Sequence, residues 1–155
     1  MSVAWVLDLG VDRRVAVAQR QQLQLVHEPQ VCAVAWAPAC AQNVLLWNGH
    51  CIPVLDFGTW SNAEPTPRGL LGIYAYFNDS LGTHQFGGLW LAAPPVRVDV
   101  DDSQDCELPL EREPWRPFSL SCFRDAQSNV VPIIELAQIF LKPTFSTHPE
   151  MTSWT

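Results

Sequence analysis

Apolar positions along the chain fall into short runs and period-two alternations, punctuated at close intervals by Gly, Pro, Asn and Asp. Such spacing predicts many short strands rather than long helices. Residues 3–9 and 14–18 read as two strands around a turn at 10–13, and 19–22 as a helical turn or loop. Leu23, Leu25 and His27 alternate with Gln24, Val26 and Glu28 until Pro29 ends the run, and a short apolar stretch covers 31–36. Pro38 to Ala41 reads as one helical turn leading to two apolar runs, 44–47 and 51–55, which flank Asn48-Gly49. Both residues of that pair tolerate positive φ, which a tight hairpin turn requires, so this is the strongest hairpin signal in the chain. Pro53 cannot donate to a ladder and marks an edge or a bulge, and Asp56 is placed to cap a helix start. A loop spans 58–68, a second hairpin joins 70–77 to 85–91 around 78–82, and Pro94-Pro95 punctuates before Val96, Val98 and Val100 alternate with Arg97 and Asp99. A further strand over 115–123 precedes a turn at 124–128. From Ile133 the period changes: Ile133, Leu136, Ala137 and Phe140 share one helical face, in a helix that ends before Pro143. The pattern predicts an all-β fold of about nine or ten strands with a C-terminal helix, its strand edges removed by closure into barrels. Residues 1–142 form the domain and 143–155 a flexible tail.

One phrase occurs twice. His50-Cys51-Ile52-Pro53-Val54-Leu55-Asp56-Phe57 and Asn129-Val130-Val131-Pro132-Ile133-Ile134-Glu135-Leu136 share the order polar, apolar, apolar, Pro, apolar, apolar, acid, apolar. The offset, 132 − 53 = 79, is about half of the 155 residues, which predicts two similar β-rich halves. Pro53 and Pro132 should then occupy equivalent strand ends, with Asp56 and Glu135 the acids that follow them in the motif, and Val54, Leu55, Ile133 and Leu136 should be buried.

Composition narrows the function. The chain is 48% apolar, with seven Trp and seven Phe, but only 16% charged, against roughly 25% in an average soluble protein. A charge deficit of this kind points to surface covered by partners. The net charge of −7, with Lys142 the single lysine, argues against tracking nucleic-acid phosphates or anionic membrane surfaces. No apolar run is long enough to insert in a membrane, and no secretory signal is visible, so a cytoplasmic location is expected. Cys32, Cys40, Cys51, Cys106 and Cys122 form no CxxC motif and are expected to be reduced and mostly buried, with no zinc site. Phosphate loops, nucleophile elbows and HExxH are absent. His50 and Asp56 lie at opposite ends of one strand, too far apart for an acid–base pair, and His84 reads as a loop residue. Asp101-Asp102 sits in an acidic run without a calcium-ligand frame. No catalytic residue, metal or cofactor is expected.

The motif at 43–57 resembles the core of the CheW family of chemotaxis coupling proteins, with matches at Val44, Leu45, Gly49, Ile52, Pro53, Val54, Leu55 and Asp56. The likeness runs over nearly the whole chain in the family's order, through Val15 to Ala18, Pro38, the mid-chain hairpin and 131–136. It implies two intertwined SH3-like β-barrels and a non-enzymatic adaptor that couples the cytoplasmic tips of chemoreceptors to a CheA-type histidine kinase, recruited to membrane-bound arrays. Because a tight Asn-Gly turn must project and present its neighbours to solvent, the hairpin tip, with an exposed Trp47, Asn48, Gly49 and His50, is expected to dock a helical signalling partner, and the resemblance adds the surface at Leu25. The chain departs from the family pattern where Asn43 replaces a glycine, Leu46-Trp47-Asn48 an Asn-Leu-Arg in which Asn48 takes the place of the arginine, Leu25 a glutamate, and Leu91-Ala92 a Val-Asp pair. The alternatives are a small-molecule sensor with a pocket between the barrels lined by Trp and Phe, or a degenerate CheW-like domain with another protein partner.

Overall fold

In a computed structural model, the described residues are 2–10, 13–37, 41–60, 66–106 and 118–141. They form β1 (Ser2–Asp8), β2 (Arg14–Ala18), β3 (Gln22–His27), β4 (Cys32–Ala33), β5 (Asn43–Trp47), β6 (His50–Leu55), α1 (Phe57–Trp60), β7 (Leu70–Asn78), β8 (Thr83–Leu91), β9 (Ala93–Val100), β10 (Ser119–Arg124), β11 (Val130–Ile134) and α2 (Leu136–Phe140). The helical turn expected at Pro38, residues 61–65 of the loop expected over 58–68, the start of the strand expected from Trp115, and the tail 143–155 lie outside the described residues, while the first residues of that loop, 58–60, belong to α1 instead.

Two sheets divide the strands, in the orders β10-β11-β2-β1-β9 and β3-β7-β8-β6-β5-β4. The chain thus begins in the first sheet, builds the whole of the second, and returns to complete the first. A bridge between Asp105 and Phe123 brings the chain after β9 against β10, drawing the two edges of the first sheet together. In the second sheet β4 covers only Asn43 and Val44 of β5, and the Trp47 indole reaches across to β3, where Nε1 donates to Gln24 Oε1 at 2.9 Å. Side chain rather than ladder spans that gap.

The 79-residue repeat is structural. β6 and β11 each pair antiparallel with the preceding strand, placing Pro53 opposite Val44 and Pro132 opposite Cys122. Each also has a parallel neighbour, which engages the residue after the proline: Val54 meets Gly88 of β8, and Ile133 meets Ala16 of β2. Each strand then runs through an acid into a short helix that begins on a buried apolar residue, Phe57 or Leu136.

Three apolar clusters result. One, Leu45, Ile52, Val54, Leu71, Ile73 and Trp90, fills the second sheet. A smaller one, Ala4, Ala16, Phe123 and Val131, lines the first. The largest draws on both sheets and α2, with Leu7, Val15, Leu55, Tyr74, Leu89, Ile134, Leu136 and Phe140 among its members. It packs the layer between the sheets with side chains.

Several expectations change. Ile133 belongs to β11, not to the helix, and is half-buried: alternation sends Ile134 to the shared layer and Ile133 to the smaller cluster, which Val6, Val98 and Val100 also cover only in part. The strand at 93–100 runs through Pro94 and Pro95, which are tolerated because β9 is hydrogen-bonded only to β1. His84 lies in β8, not in a loop. Cys32 and Cys51 are exposed, Cys106 is intermediate and only Cys122 is buried, so the described thiols are not mostly buried.

A candidate docking surface on the central hairpin

The register of β5 with β6 sorts the hairpin into two faces. Leu45 lies opposite Ile52 and Trp47 opposite His50, while Leu46 lies opposite Cys51 and Val44 opposite Pro53. Residues directly opposite in an antiparallel pair share a face. The first set is the inner face: Leu45 and Ile52 are buried, and Trp47 packs on their cluster with Phe86 at 5.2 Å between ring centroids. His50 is exposed and sits against the same Phe86 ring at 5.1 Å. The outer face is apolar along its length, with Val44, Leu46, Cys51 and Pro53. Leu46 is 74% exposed.

The turn has the geometry its residues demand. Asn48 has φ +47° and Gly49 φ +80°, and a Cβ on Gly49 would meet nothing within 4 Å, so the constraint there is conformational rather than steric. Trp47 is partly buried, whereas the projecting turn predicts a tip that exposes it. Alternation alone puts Trp47 and Leu46 on opposite faces without saying which face is outward; Leu45, two residues before Trp47, follows it inward. The exposed apolar side chain is Leu46.

Beside the hairpin, β6 and β8 are in register only at Val54–Gly88 and Leu55–Leu89. Towards their N-terminal ends lies an open groove of about 410 Å³, lined by His50, Cys51, Pro53, Tyr76, His84 and Phe86 among others. Leu25, on β3, is 36% exposed and Leu23 on the same strand 43%. The hydrogen bond from Trp47 to Gln24 places that strand next to the hairpin tip. The structure therefore gathers Trp47, His50 and Phe86 at one point, leaves Asn48 and Gly49 exposed above them, and sets Leu25 on the strand alongside. The sequence reading missed Leu46 and Phe86. The register of the Asn-Gly hairpin carried the signal for Leu46.

The motif acids differ in what they do. Asp56 is buried; its Oδ1 accepts from the backbone N–H of Thr59 at 3.2 Å and of Thr66 at 3.1 Å. Arg68 Nη1 lies 2.9 Å from Oδ2, an ionic contact off the line of a hydrogen bond, and the same guanidinium stands 5.0 Å from the Trp90 ring. Glu135 stands at the N-cap of α2 without a side-chain cap; its backbone N–H donates to Phe118 O at 2.6 Å. Asp56 ties a loop to the second sheet, while Glu135 acts through its backbone.

No chemistry assembles around these residues. Among the described residues no group of three His, Cys, Asp or Glu side chains could hold a metal ion, and no helix is long and apolar enough to cross a membrane. Asp101 caps a short helical turn by accepting from Ser103 N at 2.8 Å, and hydrogen bonds from the Ser103 side chain and backbone hold its carboxyl below the usual range.

No protein-family model matches the chain, and no curated protein matches it. Among solved structures, the scaffolding protein TtCheW from Thermoanaerobacter tengcongensis is similar with a TM-score of 0.68, over 87% of this chain and 84% of its own, at 14% identity. The two-sheet all-β architecture is thus a CheW-like fold.

Proposed function

We propose that the chain is a non-enzymatic adaptor of a bacterial chemosensory system, joining the cytoplasmic tip of a chemoreceptor to a CheA-type histidine kinase. It works in the cytoplasm, at membrane-bound receptor arrays. The observation that carries this reading is the apolar outer face of the β5–β6 hairpin, Val44, Leu46, Cys51 and Pro53, on a fold shared with a scaffolding protein. A large exposed aliphatic beside a rigid turn suits the centre of an interface, and the polar turn residues Asn48 and Gly49, with His50, suit its rim. Leu25 and Leu23 extend the apolar surface onto β3.

The partner is a helical element that lays an apolar stripe on the hairpin. With Asn48 in place of a cation, its contacts at the turn are neutral hydrogen bonds rather than charge-assisted ones. The test is binding of the purified chain to the regulatory domain of the CheA-type kinase, and to a receptor cytoplasmic fragment, from the same cell, measured by titration calorimetry. Saturable binding to either, weakened at least about tenfold by Leu46→Asp in a chain that keeps its thermal midpoint, is the expected result. No binding to either, or binding that Leu46→Asp leaves untouched, would overturn the reading.

A further inference from the structure

We propose that Cys106 and Cys122 form a redox-active thiol pair that closes to a disulfide across the seam of the first barrel. Asp105 bridges Phe123 in antiparallel register, so the next residue, Cys106, stands directly opposite Cys122. Cys106 N donates to Cys122 O at 3.4 Å, and the two Sγ atoms are 3.4 Å apart. A disulfide has an S–S length of about 2.05 Å, so a closure of about 1.4 Å is needed, within reach of small χ1 rotations. No other pair of described cysteines is so placed. Cys32 is on β4 and Cys51 on β6 with β5 between them, and two strand spacings, roughly 10 Å, exceed the Cα separation a disulfide can span.

The position gives the bond a consequence. Where the two edges of the first sheet meet, the described contacts between the chain after β9 and β10 include the Asp105–Phe123 bridge, the long Cys106–Cys122 hydrogen bond, and Gln104 Nε2 donating to Arg124 O at 3.1 Å. A covalent link would fix that seam. The two thiols also have different parts to play. Cys106 is part-exposed and is the entry point. Cys122 is 3% exposed, and its Sγ donates to Cys106 O at 2.8 Å. Burial foremost, then that neighbouring thiol, pushes the Cys122 thiol up to about 12.

With a small-molecule disulfide such as oxidised glutathione as oxidant, the Cys106 thiolate attacks one sulfur and expels a glutathione thiolate, which takes a proton. The resulting S–S bond on Cys106 is then attacked by Cys122 Sγ, which gives up its proton as the second glutathione leaves. The protein loses two electrons and two protons, and one oxidised glutathione becomes two reduced ones. The scarce Cys122 thiolate makes the second step the slow one, so the mixed disulfide on Cys106 accumulates first.

The experiment uses the full chain carrying Cys32→Ser, Cys40→Ser and Cys51→Ser, incubated with excess oxidised glutathione. Thiol titration should fall from two groups to none, intact mass should drop by two hydrogens, and digestion should yield a peptide linking Cys106 to Cys122. The thermal midpoint of the oxidised form should rise by about 5–10 °C. Adding Cys122→Ser should stop the reaction at the Cys106–glutathione adduct. The adduct as the end product in the two-thiol chain, or no reaction, overturns the proposal, and so does a cross-link that lowers the midpoint. If the triple-serine chain does not fold, the same linked peptide is sought in the unsubstituted chain, where its absence is equally decisive. This test is independent of any adaptor role, since it reads the seam and not the hairpin.

Discussion

Leu46 and Trp47 are adjacent, yet they call for opposite experiments. Trp47 holds β5 to β3 through Gln24 and packs on Phe86 and the second-sheet cluster. Trp47→Ala is therefore expected to cost roughly 2 kcal/mol of stability, below the roughly 3–5 kcal/mol of a fully buried aromatic, measured by urea denaturation. Leu46 supports nothing inside, so Leu46→Ala should leave the denaturation midpoint alone and act on partner affinity only. The sequence fixes the relation between the two residues by alternation and leaves its sign to the neighbours. What settles the sign is Leu45, whose burial carries Trp47 with it. Tyr74 is a second residue whose role was not legible, because its environment comes from β7, β8 and α2 together. Its ring is fully buried over Gly72, its hydroxyl has no hydrogen-bond partner among the described residues, and burial raises its pKa well above the ordinary tyrosine range. An acid whose folded pKa is raised keeps its full stability below the unfolded value, about 10. Above that pH the unfolded tyrosine ionises while the folded one does not, so stability falls by up to about 1.4 kcal/mol per pH unit. Tyr74→Phe should be neutral or stabilising by about 1 kcal/mol near neutral pH, since it removes an unpaired buried hydroxyl. It should also flatten the alkaline loss, with Tyr76, raised by burial as well, leaving a residual slope. Urea midpoints of both proteins on either side of about pH 10 check this, and an equal alkaline loss in both would refute it.

At the scale of elements, the two copies of the proline phrase were visible as sequence and proved equivalent in pairing, but the acids that end them were not interchangeable. Asp56 is short enough to curl back on the N–H groups of Thr59 and Thr66, and Arg68 joins it. Glu135 has one methylene more and makes no such cap. Asp56→Ala should thus destabilise by on the order of 2–3 kcal/mol, the result of leaving two amides and a guanidinium without their carboxylate. Glu135→Ala should stay within about 0.5 kcal/mol of the parent. Thermal or chemical unfolding of the two variants side by side tests the distinction; equal losses would make the acids equivalent after all. The docking of α2 was equally hidden. Phe140 stacks on Tyr76 at 5.1 Å and 8°, and it lies over Gly87, where a Cβ would come within 2.3 Å of the ring. The helical period in 133–140 gave the existence of α2 but began it three residues early, because Ile133 satisfies both the strand and the helix pattern. Nothing local marks Gly87 as the seat of a ring from a helix some fifty residues on.

For the whole molecule the question is whether two barrels mean two folding units. The sequence repeat, read alone, allows two halves that fold separately, each with its own proline strand and helix. Their strands tell otherwise: the first sheet takes β1 and β2 from one end of the chain and β9, β10 and β11 from the other, so it is incomplete until the second sheet has been built between them. The largest apolar cluster joins Leu55, Leu70, Tyr74 and Leu89 of the second sheet to Leu7, Val15, Val17 and Ile134 of the first, with Leu136, Ile139 and Phe140 of α2. By comparison, the cluster lining the first sheet is built on Ala4, Ala16, Phe123 and Val131, which together bury too little apolar surface to offset the chain entropy of five strands. The first barrel therefore depends on the shared layer for its stability. It follows that Leu55→Ala and Leu136→Ala, equivalent in neither repeat position nor barrel, should each cost about 2–5 kcal/mol and each shift one common transition. Far-UV circular dichroism, which follows the strands of both sheets, and tryptophan fluorescence, with Trp5 on β1 and Trp90 on β8, should give coincident midpoints for the parent and for both variants. A Leu136→Ala chain in which either signal splits into two transitions, one of them at the parental midpoint, would show that the second barrel stands alone. The coupling argued here would then be wrong.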